Sequence, residues 1–147
     1  MTKIKLAKAL KMKKRMALDL ADLLQKIQRQ NTYVDGNAPL KSTTELLEDY
    51  EKSLAKYIEF KTKIQRANAP IFAKIFELAE TKGYLQGINR FQTEVDNSYM
   101  QPGQKEKRSS LATHDKEDLI KALKDKIEKL QDELDAFNAT TEIEIAD

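Results

Sequence analysis

Apolar residues recur every three or four positions along three long, charge-rich stretches of this chain. In an α-helix this spacing places the apolar side chains on one narrow stripe, whereas a half-buried strand requires strict alternation. Charged residues make up 34% of the sequence and apolar residues 40%, which suits long helices that each bury one stripe. The stripe is clearest in the last stretch, at Ile120, Leu123, Ile127, Leu130, Leu134 and Phe137.

The repeats and the residues that interrupt them predict an all-α protein, an antiparallel bundle of about four long helices with coiled-coil-like packing. Gly36 and Pro39 separate the first two helices, Pro70 precedes the third, and Pro102 lies in the loop before the fourth. No segment shows a strand pattern. We expect a single helical domain, 1–147, with helices at about 3–30, 43–68, 70–98 and 115–138 and a flexible loop at about 100–114.

The predicted stripe of the second helix runs through Leu47, Tyr50, Leu54, Tyr57, Lys61, Ile64 and Asn68. Four apolar residues lie off the stripes of the first two helices, and we expect them to be exposed: Leu18, Leu23, Ile58 and Phe60. Exposed apolar rows on long helices commonly mark a partner. The sequence therefore predicts a homo-oligomer, with a monomeric bundle as the alternative.

The apolar positions of the third helix change sides after Gly83 and Gly87. Before these glycines the apolar set includes Phe72 and Phe76, and after them it includes Ile88, about half a turn away around the helix. This change indicates a bend or a change of packing partner.

The residue inventory excludes most catalytic and cofactor templates. The chain contains no Cys and a single His, His114, so it cannot build a zinc-thiolate site or the paired Glu-x-x-His motifs of a di-metal bundle. Gly83-x-x-x-Gly87 lacks the Lys-Ser/Thr pair and the preceding strand of a phosphate-binding loop. We predict no enzyme activity, catalytic residue, cofactor, metal or small-molecule substrate.

The N-terminal segment and the hydropathy of the chain predict a cytoplasmic protein. The lysines near the N-terminus interrupt any apolar core of a secretory signal. No window approaches the ~20 apolar residues of a membrane-spanning helix.

The net charge of +2 conceals two oppositely charged ends. Residues 1–18 carry seven basic residues and no acid, whereas residues 130–147 carry six acids and no base. The basic end could bind the phosphates of a nucleic acid, lie on an anionic membrane, or pair with the acidic end within the bundle or across an oligomer. We prefer charge pairing. The candidate interaction residues here are Lys3, Lys8, Lys11, Lys13, Lys14 and Arg15.

Three lysines occupy apolar-stripe positions: Lys13, Lys61 and Lys82. They could line a polar core that binds an anion or a cofactor. Alternatively, each could extend its stem along the seam between helices or pair with a carboxylate and thereby set the register. We prefer the second interpretation.

The C-terminal segment from Asn138 to Ile143 reads Asn-Ala-Thr-Thr-Glu-Ile. It is similar to the closing Asn-Trp-Thr-Thr-Glu-Leu of a small bacterial family of helical proteins, sometimes labelled septicolysin, with Ala139 at the aromatic position. The chain resembles this family, and the C-terminal segment is the most specific match. The third helix and the segment 99–110 depart further from the family. Weaker matches are Lys5-Leu6-Ala7, Ala9-Leu10, Asn31, Val34, Gly36, Pro39, Leu46-Leu47, Ile64-Gln65, Asn68, Leu130 and Glu133-Leu134-Asp135.

The resemblance implies a helical fold in a bacterial cytosol and supplies no activity. It adds Thr140, Thr141 and Glu142 as candidate interaction residues, which either form an interaction surface or cap the C-terminal tail. Our leading functional hypothesis is a non-catalytic helical protein for oligomerisation or protein–protein interaction. The alternative is a binder of anionic surfaces, such as nucleic acid, ribosome or membrane, through the basic first helix.

Overall fold

A computed structural model describes residues 1–146, which form four α-helices and a small antiparallel sheet. The chain is mostly helical, as predicted, but it is not all-α. A four-helix antiparallel bundle with coiled-coil-like packing stays a prediction. In chain order the elements are β1 (Thr2–Lys5), α1 (Leu6–Gln30), α2 (Thr43–Ala67), a 3₁₀ turn (Ala69–Ile71), α3 (Phe72–Asn89), α4 (Thr113–Thr140) and β2 (Glu142–Ile145).

The described residues group into two compact units. The first unit contains residues Met1–Pro70 and the C-terminal residues from Phe137 onward, and the second contains Ile71–Ala136. Folding as a single domain over residues 1–147 stays a prediction. No helix within residues 1–146 has the length and apolar composition needed to cross a membrane.

The two strands correct the prediction that the chain has no strand and that its first helix begins near residue 3. β1 and β2 pair antiparallel, with Ile4 opposite Ile143 and Lys5 opposite Glu142. Ile4 and Ile143 are buried, whereas their charged neighbours are exposed, which is the alternation of a half-buried strand. Each strand has four residues and adjoins a long helix, so a search for three- and four-residue spacing assigns it to the helix.

The first unit is a helical hairpin whose core is completed by the sheet. A hydrogen bond of 3.0 Å from Thr43 Oγ1 to Asn31 Oδ1 joins the start of α2 to the end of α1. At the other end of the hairpin, the sheet packs on the first turns of α1 and the last turns of α2. The buried residues of this core are Ile4, Leu6, Ala9, Phe60, Ile64 and Ile143.

The row of residues that α2 buries differs from the predicted stripe. Phe60 is only 8% exposed although we expected it on the surface, and Leu47 is 38% exposed although we expected it in the stripe. The sheet explains the burial of Phe60, because Ile4 and Ile143 join the cluster that contains it. Of the other residues predicted to be exposed, Ile58 and Leu18 are exposed and Leu23 is half-buried.

The second unit contains α3 and the residues of α4 up to Ala136. Polar contacts join the two helices in an antiparallel order. Lys74 Nζ lies 2.8 Å from Glu133 Oε2, and Lys126 Nζ lies 3.1 Å from Glu77 Oε1. Towards the other end of the pair, Lys116 Nζ donates to the backbone oxygen of Asn89.

The third helix ends at Asn89, well before the predicted end near residue 98. Lys116 Nζ donates to the carbonyl oxygens of Asn89 at 3.3 Å and of Phe91 at 2.7 Å. A lysine side chain therefore satisfies backbone acceptors that the next helical turn would otherwise satisfy. Because this lysine belongs to another helix, hydrophobic spacing within the third helix does not predict where it stops.

Candidate interaction surfaces

Four basic side chains project from the outer side of α1 near its N-terminus. At 100° per residue they fall within roughly 120° of the helix circumference, opposite the side that buries Leu6 and Ala9. They extend over about 10 Å of helix, and all four are exposed. The exposed side chain of Leu18 lies on the same side of the helix. We call the exposed side chains of Lys8, Lys11, Lys14 and Arg15 the basic surface.

The four side chains of the basic surface form no ion pair within the described residues. No carboxylate among residues 1–146 forms an ion pair with any of its four side chains within 4.0 Å. Positive charge near a helix N-terminus also opposes the helix dipole, so the energetics of α1 do not account for it. The first acids along the helix are Asp19 and Asp22, four and seven residues beyond Arg15. These charges are therefore accessible to an external anion.

Two lysines of the basic end pair with acids near the C-terminus across the sheet, whereas pairing of the first helix with the acidic end stays a prediction. Lys5 Nζ lies 2.8 Å from Glu142 Oε1, and Lys3 Nζ lies 3.9 Å from Glu144 Oε1. Both pairs are exposed, and exposed pairs contribute little stability. Their effect is to neutralise the lysines of β1 while leaving the basic surface of α1 unpaired.

The Thr140-Thr141-Glu142 segment forms the junction between α4 and β2. The Thr141 oxygen accepts a hydrogen bond of 2.7 Å from the Leu6 N–H, and the Thr141 N–H donates to the Phe137 oxygen at 2.9 Å. Thr140 is the last residue of α4, and its hydroxyl lies 3.5 Å from the Phe137 oxygen. The segment therefore links the end of α4 to the start of α1 through backbone hydrogen bonds. Its role as an interaction surface or as a cap stays a prediction.

The contact with Lys5 makes the Glu142 carboxyl sensitive to pH. The Lys5 side chain donates a hydrogen bond that lowers the pKa of Glu142 from its ordinary value of 4.5. A lowered folded-state pKa stabilises the fold above the ordinary pKa, and this stabilisation is lost as the pH falls through the folded-state pKa. We expect Glu142→Gln to lower the melting temperature slightly at neutral pH. The substitution should have no effect well below pH 4.5, where the Glu142 carboxyl of the parent is protonated in both the folded and the unfolded state.

Thermal unfolding of the parent and Glu142→Gln at neutral and acidic pH checks this dependence. The control is Glu128→Gln, which removes an exposed carboxylate with no ion pair among residues 1–146. A difference between parent and Glu142→Gln that is the same at all pH values would contradict the role of the Lys5 contact.

The stripe lysines and the single histidine occupy separate environments. Lys13 is half-buried on α1, and Lys82 is exposed on α3. Lys61 is exposed on α2, with Nζ 5.8 Å from the centroid of the Tyr57 ring. The exposure of Lys61 and Lys82 corrects their predicted place in the apolar stripes, and the choice between the two interpretations of these lysines stays a prediction. His114 is exposed in the first turn of α4, with Nε2 3.1 Å from Asp115 Oδ1.

Three further basic residues lie in or near these surfaces, and the sequence analysis did not identify them as candidates. Lys5 makes the shorter ion pair of the sheet, and the alternation of Thr2–Lys5 with apolar Ile4 is the signal that could have found it. Lys26 and Arg29 are exposed on the same side of α1 as Lys8, beyond the two acids. Extending the 3.6-residue period of the basic surface along the helix would have included them.

Comparisons with known proteins add no functional information to these surfaces. Within residues 1–146 no group of three or more His, Cys, Asp or Glu side chains is arranged to hold a metal ion. The resemblance to the septicolysin family stays a prediction that depends on the residues quoted for it. No protein-family model, curated protein or solved structure matches the chain.

Proposed function

We propose that the protein is a non-catalytic helical interaction protein that binds the phosphate groups of a nucleic acid through the basic surface. The observation that carries the proposal is the absence of any ion pair, among the described residues, to Lys8, Lys11, Lys14 and Arg15. Four cations on one side of a helix can each contact a phosphate and release condensed counterions, which is the main source of non-specific affinity for nucleic acid.

The burial of the apolar side of α1 favours a nucleic acid over a membrane. An amphipathic helix binds a bilayer by inserting its apolar side between the lipids. In α1 that side is committed to the protein core, since Leu6 and Ala9 have no exposed surface. Leu18 is 62% exposed near the basic surface, but a single leucine adds little apolar area. A membrane would therefore be held by charge alone.

The composition of α1 predicts binding with little preference for nucleotide sequence. The helix contains no aromatic residue, so it has no ring on which an unpaired base could stack. Lysine and arginine contacts to phosphate position a protein without reading bases. With four phosphate contacts, the slope of log K against log salt for a duplex is expected near −3.6, so a fourfold rise in salt weakens binding roughly a hundredfold.

The test is titration of a labelled DNA duplex and a labelled RNA hairpin at several salt concentrations. The test variant carries Lys8→Glu, Lys11→Glu, Lys14→Glu and Arg15→Glu. The control carries Lys52→Glu, Lys56→Glu, Lys121→Glu and Lys124→Glu, which change the net charge equally at other exposed positions. We expect roughly a hundredfold weaker binding for the test variant at low salt and a loss below tenfold for the control.

Circular dichroism establishes that both variants are folded, and α1 should tolerate the test substitutions because acids near a helix N-terminus favour the dipole. Equal binding by the parent and the test variant would overturn the proposal. Capture of the parent by anionic vesicles, without binding to either nucleic acid, would also overturn it and assign the surface to a membrane.

A further inference from the structure

The outer side of α1 carries a second group of cations towards the C-terminal end of the helix. Lys26 and Arg29 are exposed and form no ion pair within residues 1–146. At 100° per residue, both fall within the arc of the helix circumference that holds the basic surface. We call Lys26 and Arg29 the distal cations. One continuous helix, Leu6–Gln30, therefore presents two cationic groups on the same side.

Two acids separate the two cationic groups. Asp19 and Asp22 are exposed and lie on this same side of the helix. Neither forms an ion pair in the described part of the chain, although Arg15 and Lys26 each stand four residues from one of them. The order of charge along the outer side of α1 is therefore basic, acidic and basic.

The gap between the two cationic groups suits a wide groove of a duplex. The helix rises roughly 16 Å from Arg15 to Lys26. The major groove of B-form DNA is about 12 Å wide, whereas the minor groove is about 6 Å wide. A helix that lies across the major groove can reach phosphates on both sides, because the flexible side chains of lysine and arginine cover the remaining distance. The minor groove is too narrow to separate the two groups.

We propose that α1 lies across a wide groove of a nucleic-acid duplex. The basic surface contacts the phosphate backbone on one side, the distal cations contact the backbone on the other side, and the two acids lie over the groove. This inference rests on the proposed function and names the class of nucleic acid that α1 binds.

The position of the acids favours a duplex over a single strand. The phosphates of a single strand that follows the helix from the basic surface to the distal cations must pass Asp19 and Asp22, and like charges repel. A duplex that α1 crosses has its two phosphate rows at the cationic groups and none midway between them. The same order of charge therefore opposes one ligand and fits the other.

Two kinds of duplex present phosphate rows on either side of a wide groove. They are B-form DNA, through its major groove, and A-form RNA, through its wide and shallow minor groove. The titrations therefore use a labelled DNA duplex, a labelled RNA duplex and a labelled single-stranded DNA of the same length. The duplex on which the distal cations act identifies the groove.

Removal of the distal cations should weaken binding to a duplex and spare binding to the single strand. We expect Lys26→Gln combined with Arg29→Gln, the distal variant, to bind the duplex about tenfold more weakly and the single strand within about twofold of the parent. Six phosphate contacts give a slope of log K against log salt near −5.4 for the parent and a duplex, and the distal variant should return it to about −3.6, the value for the basic surface alone.

A matched control and circular dichroism accompany the distal variant. Glutamine is nearly as good a helix former as lysine or arginine, so α1 should remain folded. Lys121→Gln combined with Lys124→Gln removes the same charge from exposed positions of α4. This control should weaken duplex binding less than about threefold.

Neutralisation of the two acids tests their position over the groove. Asp19→Asn combined with Asp22→Asn should strengthen binding to the single strand about tenfold, because the repulsion from its phosphates is removed, and strengthen binding to the duplex less than about threefold. An equal gain on both ligands would overturn the crossing, since the acids would then lie equally near the phosphates of both.

Failure of the crossing is distinguishable from failure of the proposed function. A parent slope near −3.6, or duplex binding that the distal variant leaves unchanged, would overturn the crossing while the basic surface still bound nucleic acid. An equal loss on duplex and single strand would also overturn it, because the distal cations would then act only as general positive charge. If substitution of the basic surface itself leaves binding unchanged, the proposed function and the crossing both fail.

Discussion

Leu6→Ala should lower the free energy of unfolding by about 3 kcal/mol. Leu6 is the first residue of α1 and has no exposed surface. Its side chain lies in the cluster that joins the sheet to α2, so truncation leaves a cavity bordered by elements from both ends of the chain. Because small proteins are stable by only about 5–15 kcal/mol, this loss is a large fraction of the total.

Urea denaturation monitored by circular dichroism measures the effect of Leu6→Ala. The control is Leu40→Ala, since Leu40 is fully exposed and its truncation should change the free energy of unfolding by less than about 0.5 kcal/mol. If the Leu6 variant were as stable as the Leu40 variant, the buried cluster would not be a determinant of stability.

Ile143→Asp should have a comparable or larger effect, about 3–5 kcal/mol, because it places a carboxylate without a partner in the core. Ile143 is 6% exposed and pairs with Ile4 in the sheet. Opening of the sheet would relieve this burial, so β2 is expected to detach from β1. The Leu6 N–H, which donates to the Thr141 oxygen, should then exchange with solvent much faster.

Hydrogen exchange at the Leu6 amide, together with urea denaturation, checks the prediction for Ile143→Asp. Ala146→Asp places the same charge at an exposed position three residues later and should leave both measurements near the parent values. Preserved protection of the Leu6 amide in the Ile143 variant would show that the pairing of β1 with β2 does not shield it.

The fourth helix shows where sequence pattern is sufficient. Its stripe residues Leu123, Leu130 and Leu134 are all buried, as predicted, and its observed range, Thr113–Thr140, extends the predicted 115–138 by two residues at each end. A regular three- and four-residue repeat over many turns leaves one apolar side, so the local pattern alone identifies what is buried.

In the second helix, two rows of residues satisfy the same spacing. Tyr50, Tyr57 and Ile64 belong to both the predicted stripe and the row that includes Phe60. Choosing between the rows requires the position of the sheet, which sequence spacing within α2 does not contain. The predicted exposure of Phe60 is wrong for this reason.

The candidate surfaces also have some features that the local sequence predicts and others that only the tertiary structure decides. Local sequence patterns reveal the segregation of charge, the basic residues of the first helix and the presence of four helices. Each of these features depends on residues that are close in the chain. Which lysines are neutralised is decided by tertiary structure. Lys5 and Glu142 lie 137 positions apart, and only the pairing of two short strands at the chain ends brings them together. That pairing neutralises the lysines of β1 and leaves the basic surface of α1 open to an anionic partner.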